Sequence, residues 1–217
     1  MHILNNSASA FTTDGAFHFA RWSRAIAPIV FGVDDETLPH LKAAIAQTVG
    51  ITGHSLAETD PELGANFMWF FCKDWSELRA IPNLDHLFPD FEALMETLET
   101  SGANRHRSFA FDAQGGIRMV IVLLRLDAAL ARMSVQTLGV IETFSSLLTW
   151  SRDAFATESP TAVIQQNGIC IVKPEWAALT RAAYDAALPD KASDPSHALR
   201  LSARAKLLYE AMEVPPA

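Results

Sequence analysis

The chain has 217 residues, of which 49% are hydrophobic and 19% are charged, and its formal net charge at pH 7 is −8. These values are typical of a globular protein that is long enough to bury a core, and they exclude an extensively disordered chain. The acidic balance argues against a nucleic-acid partner, because a general nucleic-acid binder needs a basic surface to neutralise phosphates.

The sequence predicts neither a signal peptide nor a membrane span. The segment from Met1 to Ser7 has neither a basic part nor a long apolar part, so no signal peptide is predicted. No stretch approaches the ~18 apolar residues that cross a membrane, so no membrane partner is predicted. Cys72 and Cys170 lie in apolar runs and indicate buried thiols, not a disulfide framework. We expect a cytoplasmic protein.

Residues 1–16 are mostly small and polar, and they predict a flexible N-terminal arm ahead of a single domain at residues 17–217. A short β-branched run at 26–32 predicts the first strand of that domain. Pro28 within it favours an edge position, because proline cannot donate to a neighbouring strand. An acidic start and helical spacing predict a helix at 34–49.

The middle of the chain alternates strands and helices. The apolar run 65–72 predicts a buried strand, and helices are predicted at 75–80 and 90–98. Strands at 105–111 and 117–126 then form a predicted hairpin around a five-residue, glycine-containing loop.

The segment 134–148 predicts an amphipathic helix with Ser134 as its N-cap. At 100° per residue its broad apolar face carries Leu138, Ile141, Phe144, Leu147 and Leu148. The narrow opposite stripe carries Gln136, Glu142, Thr143 and Ser146. We expect the helix to pack on the sheet and to turn this stripe outward, towards a groove.

The C-terminal part predicts a hairpin at 163–172 that turns at Asn167-Gly168, followed by helices at 175–187 and 195–212. The complete order of elements predicts one α+β domain. Its sheet is expected to be mostly antiparallel or mixed, with helices packed mainly on one face.

Common catalytic motifs are absent from the sequence. None of the seven histidines lies within four residues of another, so the paired-histidine zinc helix cannot form. No nucleophile elbow and no glycine-rich phosphate loop occurs. On the predicted central helix only Glu142 could ligate a metal, and Ser146 one turn later is a poor zinc ligand. We therefore predict no metal and no cofactor.

The densest cationic cluster is Asn104-Arg105-His106-Arg107, at the start of a predicted strand. Arginine presents a bidentate fork to carboxylate and phosphate groups, so the cluster could bind such a group. A solvated strand end is the alternative, because arginine and histidine usually lie at the surface.

Three short motifs resemble the outline of one family. Arg21-Trp22 precedes the first predicted strand, Ala65-Asn66 opens the next, and a Leu-x-x-x-x-Tyr-Asp motif ends at Tyr184-Asp185. In this outline the chain is similar to a family of uncharacterised, mostly secreted bacterial proteins of zincin-like (metallopeptidase-like) character. The resemblance implies a zincin-like fold.

The active helix of that family has the form Cys-x-x-Glu-Glu-x-x-Gln, and it would lie over 141–145 of this chain. Glu142 is the one matching residue. Ile141 and Ser145 stand where the family has its other acidic residue and its glutamine. The resemblance therefore implies a scaffold whose catalytic centre is degenerate.

Two hypotheses follow. The first is a non-catalytic binding or interaction domain with a protein or peptide partner or a homodimeric assembly. The second is a peptidase-like hydrolase that uses Glu142 as the catalytic group. The groove in either case is expected to be built from Asn66, Arg105, His106 and Ser146.

Overall fold

A computed structural model of the protein describes residues 2–5 and 7–213. In that part of the chain the α-helices are α1 His2–Asn5, α2 Thr37–Gly50, α3 Phe91–Ser101, α4 Val135–Leu147, α5 Pro174–Ala183 and α6 Ser196–Glu213. The strands are β1 Thr12–Thr13, β2 Ala16–Phe17, β3 Phe19–Ala20, β4 Pro28–Phe31, β5 Phe67–Cys72, β6 Arg105–Phe111, β7 Ile117–Arg125, β8 Thr161–Val163, β9 Cys170–Val172 and β10 Lys191–Ala192. Short 3₁₀ helices occupy Ala8–Phe11, Trp75–Ala80, Asp85–Leu87 and Leu130–Arg132.

The main sheet has four strands in the order β4-β5-β7-β6. Strands β4, β5 and β7 run parallel, whereas β6 is antiparallel to β7, so the sheet is mixed. Strand β4 is at one edge, and Pro28 is its first residue, as its missing N–H group requires. The predicted α+β class is therefore confirmed.

The two faces of the sheet carry separate apolar clusters because side chains alternate along each strand. Trp69 and Val122 belong to the larger cluster, which also contains residues of α1, α2, α4, α5 and α6. Phe70 and Leu123 point the other way and belong to the smaller cluster, together with α3. Most of the helices thus cover one face, as predicted.

Strands β6 and β7 form the predicted hairpin around the loop 112–116. The Asp112 N–H donates to the Gly116 carbonyl at 2.9 Å and closes the loop. Gly115 has φ +88°, a conformation that glycine adopts without strain. The hairpin fixes the register of β6 against the central strand, with Arg107 opposite Val122.

Helix α4 lies close against α2. A Cβ atom at Gly139 would lie 2.5 Å from the Cβ of Ala44 and 3.1 Å from a methyl group of Leu41, so only glycine allows this approach. Ser134 caps α4, because its hydroxyl accepts the Thr137 N–H at 3.1 Å. The cap and this contact set the position of α4 over the sheet.

The N-terminal segment 1–16, predicted to be a flexible arm, contributes Ile3, Leu4 and Phe11 to the larger cluster. Because most residues of this segment are small and polar, its overall composition does not reveal that these three apolar residues are buried. In the C-terminal hairpin, β8 and β9 enclose a six-residue loop, and the predicted Asn167-Gly168 turn is only part of it. Across the described part of the chain, no helix has the length and hydropathy needed to cross a bilayer.

Candidate functional site

The Glu142 carboxylate is the centre of a buried ion pair between α4 and β6. Glu142 is 1% exposed. One of its oxygens accepts a hydrogen bond from Nη1 of Arg105 at 2.8 Å, and the other accepts from Nη2 of Arg107. Both carboxylate oxygens are therefore engaged by guanidinium groups.

The alternation of strand β6 explains why two arginines reach the same carboxylate. Arg105 and Arg107 are two residues apart and so lie on one face of the strand. Their cross-strand neighbours, Leu124 and Val122, belong to the larger apolar cluster beneath α4. The arginines therefore face the helix that carries Glu142.

Ser146, one helical turn after Glu142, completes the contact. Its hydroxyl accepts a hydrogen bond from Nε of Arg107 at 2.8 Å and donates to the Glu142 carbonyl at 2.7 Å. Burial lowers the pKa of Arg107, and the negative charge of Glu142 acts in the opposite direction. A guanidinium stays protonated under such conditions, so Arg107 remains a cation held by two residues of the helix.

A cleft of about 450 Å³ opens beside this ion pair. Strand β6 and helix α4 form the floor of the cleft, and the segment 150–161 forms its wall. Its lining consists of Arg105, Arg107, Phe109, Ile141, Glu142, Ser145, Trp150, Ser151, Arg152, Phe155, Ser159, Pro160 and Thr161. Two of the predicted site residues, Glu142 and Arg105, thus line one cleft, and Ser146 joins them through its hydrogen bond with Arg107.

The prediction that the polar stripe of the helix faces outward is wrong. Glu142, Thr143 and Ser146 are all buried. Gln136 bonds through its side-chain amide to both backbone groups of Cys170 in β9, at 2.8 and 3.0 Å. A polar stripe on one helix can face polar groups of another element, and periodicity alone does not separate that arrangement from exposure to water.

Asn66 has a structural role near the start of β5. Its Oδ1 accepts the Ala27 N–H at 2.7 Å, and its Nδ2 donates to the Ala25 carbonyl at 2.8 Å and to Asp60 at 3.0 Å. The side chain is fully buried and connects the segment before β5 to the segment before β4. It does not line the cleft.

His106 is separated from Glu142 by the sheet. It lies between Arg105 and Arg107 in β6, so its side chain points to the opposite face. Burial lowers the pKa of His106, and the charge of Arg107 lowers it further. His106 therefore does not line the cleft.

The residues around Glu142 do not fit the zinc ion that a zincin-like family implies. Zinc needs three or four neutral or anionic ligands, whereas the neighbours of Glu142 are two guanidinium cations. Within residues 2–5 and 7–213, no three His, Cys, Asp or Glu side chains form a group that could hold a metal ion.

The two cysteines are free and buried, as predicted. Burial raises the pKa of the Cys72 thiol to about 12, so the thiol is protonated at neutral pH. A protonated thiol is a poor nucleophile, and Cys72 is a core residue of the smaller cluster.

The wall of the cleft that the segment 150–161 forms was not predicted from the sequence. The segment 150–161 carries no predicted helix, strand or site residue, although it brings Trp150, Arg152 and Phe155 to the site. The sequence signal that could have indicated this wall is the concentration of two aromatic residues, one arginine and three Ser or Thr residues within the segment. All six of them line the cleft. Arg107 was recognisable as part of the cationic cluster, but its partner was not.

The arrangement offers fixed charges and apolar surface, and its acidic group is held in an ion pair. The resemblance to zincin-like proteins stays a prediction. Neither a protein-family model, nor a curated protein, nor a solved structure matches the chain.

Proposed function

We propose that this protein is a non-catalytic binding domain whose ligand occupies the cleft between β6, α4 and the segment 150–161. The observation that carries the proposal is the state of Glu142. Its two carboxylate oxygens are paired with Arg105 and Arg107, and the side chain is 1% exposed. Glu142, the candidate catalytic residue, is thus a structural part of the cleft floor.

A hydrolase built on Glu142 would need this carboxylate to accept a proton from water or substrate. A general base must reach that proton within hydrogen-bond distance, and its pKa must suit the transfer. Both oxygens of the Glu142 carboxylate already accept hydrogen bonds from guanidinium groups, and the side chain is buried, so neither oxygen is open to a water or a substrate. Ser146 gives no alternative nucleophile, because its hydroxyl already donates to a backbone carbonyl.

The cleft itself has the features of a small-molecule site. Its volume of about 450 Å³ lies within the range of ligand pockets. Aromatic side chains and a few convergent polar groups line it, as is typical of such sites. We further propose that the scaffold is a degenerate zincin-like one. A cytoplasmic location and a homodimeric assembly remain predictions.

A hydrolase screen tests the absence of catalysis. Purified protein and its Glu142→Gln variant are assayed against peptidase and esterase substrates, with added zinc and with a chelator. We expect no turnover above the buffer control by either protein. Wild-type turnover that Glu142→Gln abolishes, while circular dichroism shows the variant folded, would overturn the proposal in favour of the hydrolase.

A fragment screen by ligand-detected NMR tests the binding site. Ser145→Trp fills the cleft from α4, and Ala43→Trp places the same side chain on the exposed face of α2 as a matched control. We expect fragments that bind the wild type to lose at least about tenfold in affinity with Ser145→Trp and to keep it with Ala43→Trp. Equal binding by all three proteins would place the ligand elsewhere and refute the assignment of the cleft.

A further inference from the structure

The charges that line the cleft do not cancel. Arg105, Arg107 and Arg152 contribute three positive charges and Glu142 one negative charge, which leaves two positive charges in excess. The whole chain has a net charge of −8. The cleft is therefore a local positive site on an acidic protein, and low-dielectric walls strengthen such a field.

Each of the three guanidinium groups retains donors that could reach a ligand. Arg105 uses Nη1 for Glu142 and Nε for Asn104, and Arg107 uses Nη2 for Glu142 and Nε for Ser146. Among the described residues, Nη2 of Arg105, Nη1 of Arg107 and the whole guanidinium of Arg152 have no hydrogen-bond partner. Such groups bind carboxylate and phosphate oxygens with directed, charge-assisted hydrogen bonds.

The aromatic side chains of the cleft pack against neighbouring rings. The Trp150 ring lies 5.2 Å from Phe144 in a stacked arrangement and 5.4 Å from Phe155, and its indole N–H donates to the Phe144 carbonyl at 3.2 Å. Phe109, also in the lining, stacks on Phe111 at 6.4 Å. Aromatic walls that are already ordered cost a ligand little further loss of entropy.

We infer that the cleft binds an organic anion, in which a carboxylate or phosphate group meets Arg105, Arg107 and Arg152 and a flat apolar body lies against Phe109, Trp150 and Phe155. This inference rests on the proposed function and names the chemical class of its ligand. Glu142 neutralises one arginine and fixes two of them in place, so the surplus charge is presented in a set geometry.

Calorimetric titration with three probes of similar size tests the inference. They are 2-naphthoate, 2-naphthyl phosphate and the neutral 2-naphthylmethanol. We expect at least one of the two anions to bind with a Kd of about 1 mM or lower and the alcohol to bind at least about tenfold more weakly. The tighter of the two anions identifies which oxyanion group the arginines prefer.

Charge reversal at the rim of the cleft provides the matched comparison. Arg152→Glu places a negative charge at the site, whereas Arg132→Glu makes the same change at an exposed arginine outside the cleft. Anion affinity should fall at least about tenfold with Arg152→Glu and should stay unchanged with Arg132→Glu. Arg152→Gln, which removes the charge without reversing it, should give a smaller loss.

The outcomes separate the ligand class from the site. If the alcohol binds as tightly as the anions and Arg152→Glu changes neither, the anion inference is overturned while the binding function of the cleft stands. If neither anion binds at millimolar concentration, the inference is also overturned, and the fragment screen with Ser145→Trp decides the proposed function independently. Anion binding that survives Ser145→Trp would overturn both.

Discussion

Glu142 and His197 are both buried ionisable side chains, and the fold accommodates them in different ways. Glu142 is 1% exposed and accepts hydrogen bonds from Arg105 and Arg107. His197 is 0% exposed, and within the described part of the chain neither of its ring nitrogens has a hydrogen-bond partner. Its nearest ring is that of Phe19, with 4.4 Å between the ring centroids.

The difference shows what each environment demands of its ionisable group. Around Glu142, two guanidinium groups of opposite charge replace the water that the carboxylate loses on burial. His197 has no such partner and must stay neutral, so burial, with a smaller contribution from Arg200, lowers its pKa to about 4. Removing the first charge should therefore destabilise the protein, and so should creating a charge at the second site.

The largest effect is expected from Glu142→Ala. The substitution leaves two guanidinium groups without their carboxylate, one of them on the mostly buried Arg107. Loss of one partner from a buried ion pair typically lowers the free energy of unfolding by about 3–5 kcal/mol. Urea unfolding at pH 7 measures the change.

Two further variants show whether the cost arises from the unpaired charge. Glu158→Ala removes a partly exposed partner of Lys173 and should cost less than about 1 kcal/mol. Combining Glu142→Leu with Arg107→Met removes the two more deeply buried of the three charges, leaves the partly exposed Arg105 to water, and should recover most of the lost stability. If Glu142→Ala is no worse than Glu158→Ala, the ion pair does not stabilise the fold.

Acidification tests the other half of the comparison. The pKa of His197 is about 4 in the folded protein and about 6.5 in the unfolded chain. The unfolded state therefore binds the proton first. The stability that neutral His197 permits is fully present above pH 6.5 and is lost as the pH falls through about 4, at a total of about 3 kcal/mol.

His197→Phe isolates this contribution from that of the carboxylates. Urea unfolding between pH 7 and pH 4 should show a shallower loss of stability for His197→Phe than for the wild type. His86 is exposed, so His86→Phe should follow the wild-type curve. Parallel curves for all three proteins would mean that His197 gains a partner on protonation, and the contrast with Glu142 would then disappear.

Local signals allowed much of the scaffold to be predicted from the sequence. The β6–β7 hairpin has its predicted loop at 112–116, because Asp112 and the two glycines specify a turn between an alternating run and a β-branched run. Helix α4 begins and ends within one residue of the prediction, since Ser134 caps it and helical periodicity defines its length. These features depend on residues that are near one another in the chain.

The site could not be predicted to the same extent, because it depends on contacts between distant residues. Arg105 and Glu142 are 37 positions apart, and strand alternation shows only that Arg105 and Arg107 share a face. Which element covers that face depends on the packing of α4 against α2 at Gly139. The segment 150–161 has no periodic pattern, so its place in the cleft follows from tertiary structure alone.

The smallest expected effect separates the two arginines from each other. The Arg107 side chain is 21% exposed and also bonds to Ser146, whereas that of Arg105 is 40% exposed. Arg107→Met should lower the free energy of unfolding by about 2 kcal/mol, because Glu142 then keeps only the outer arginine. Arg105→Met should cost less than about 1 kcal/mol, since water screens the exposed pair.

Urea unfolding of both variants at pH 7 measures this difference, and Arg132→Met, at an exposed arginine outside the cleft, is the control for loss of one positive charge. Equal costs for Arg105→Met and Arg107→Met would mean that Glu142 responds to the number of nearby cations and not to their burial. A smaller cost for Arg105 would assign the two arginines separate tasks. Arg107 would then hold α4 to β6, and Arg105 would mainly present its remaining Nη2 donor to a ligand.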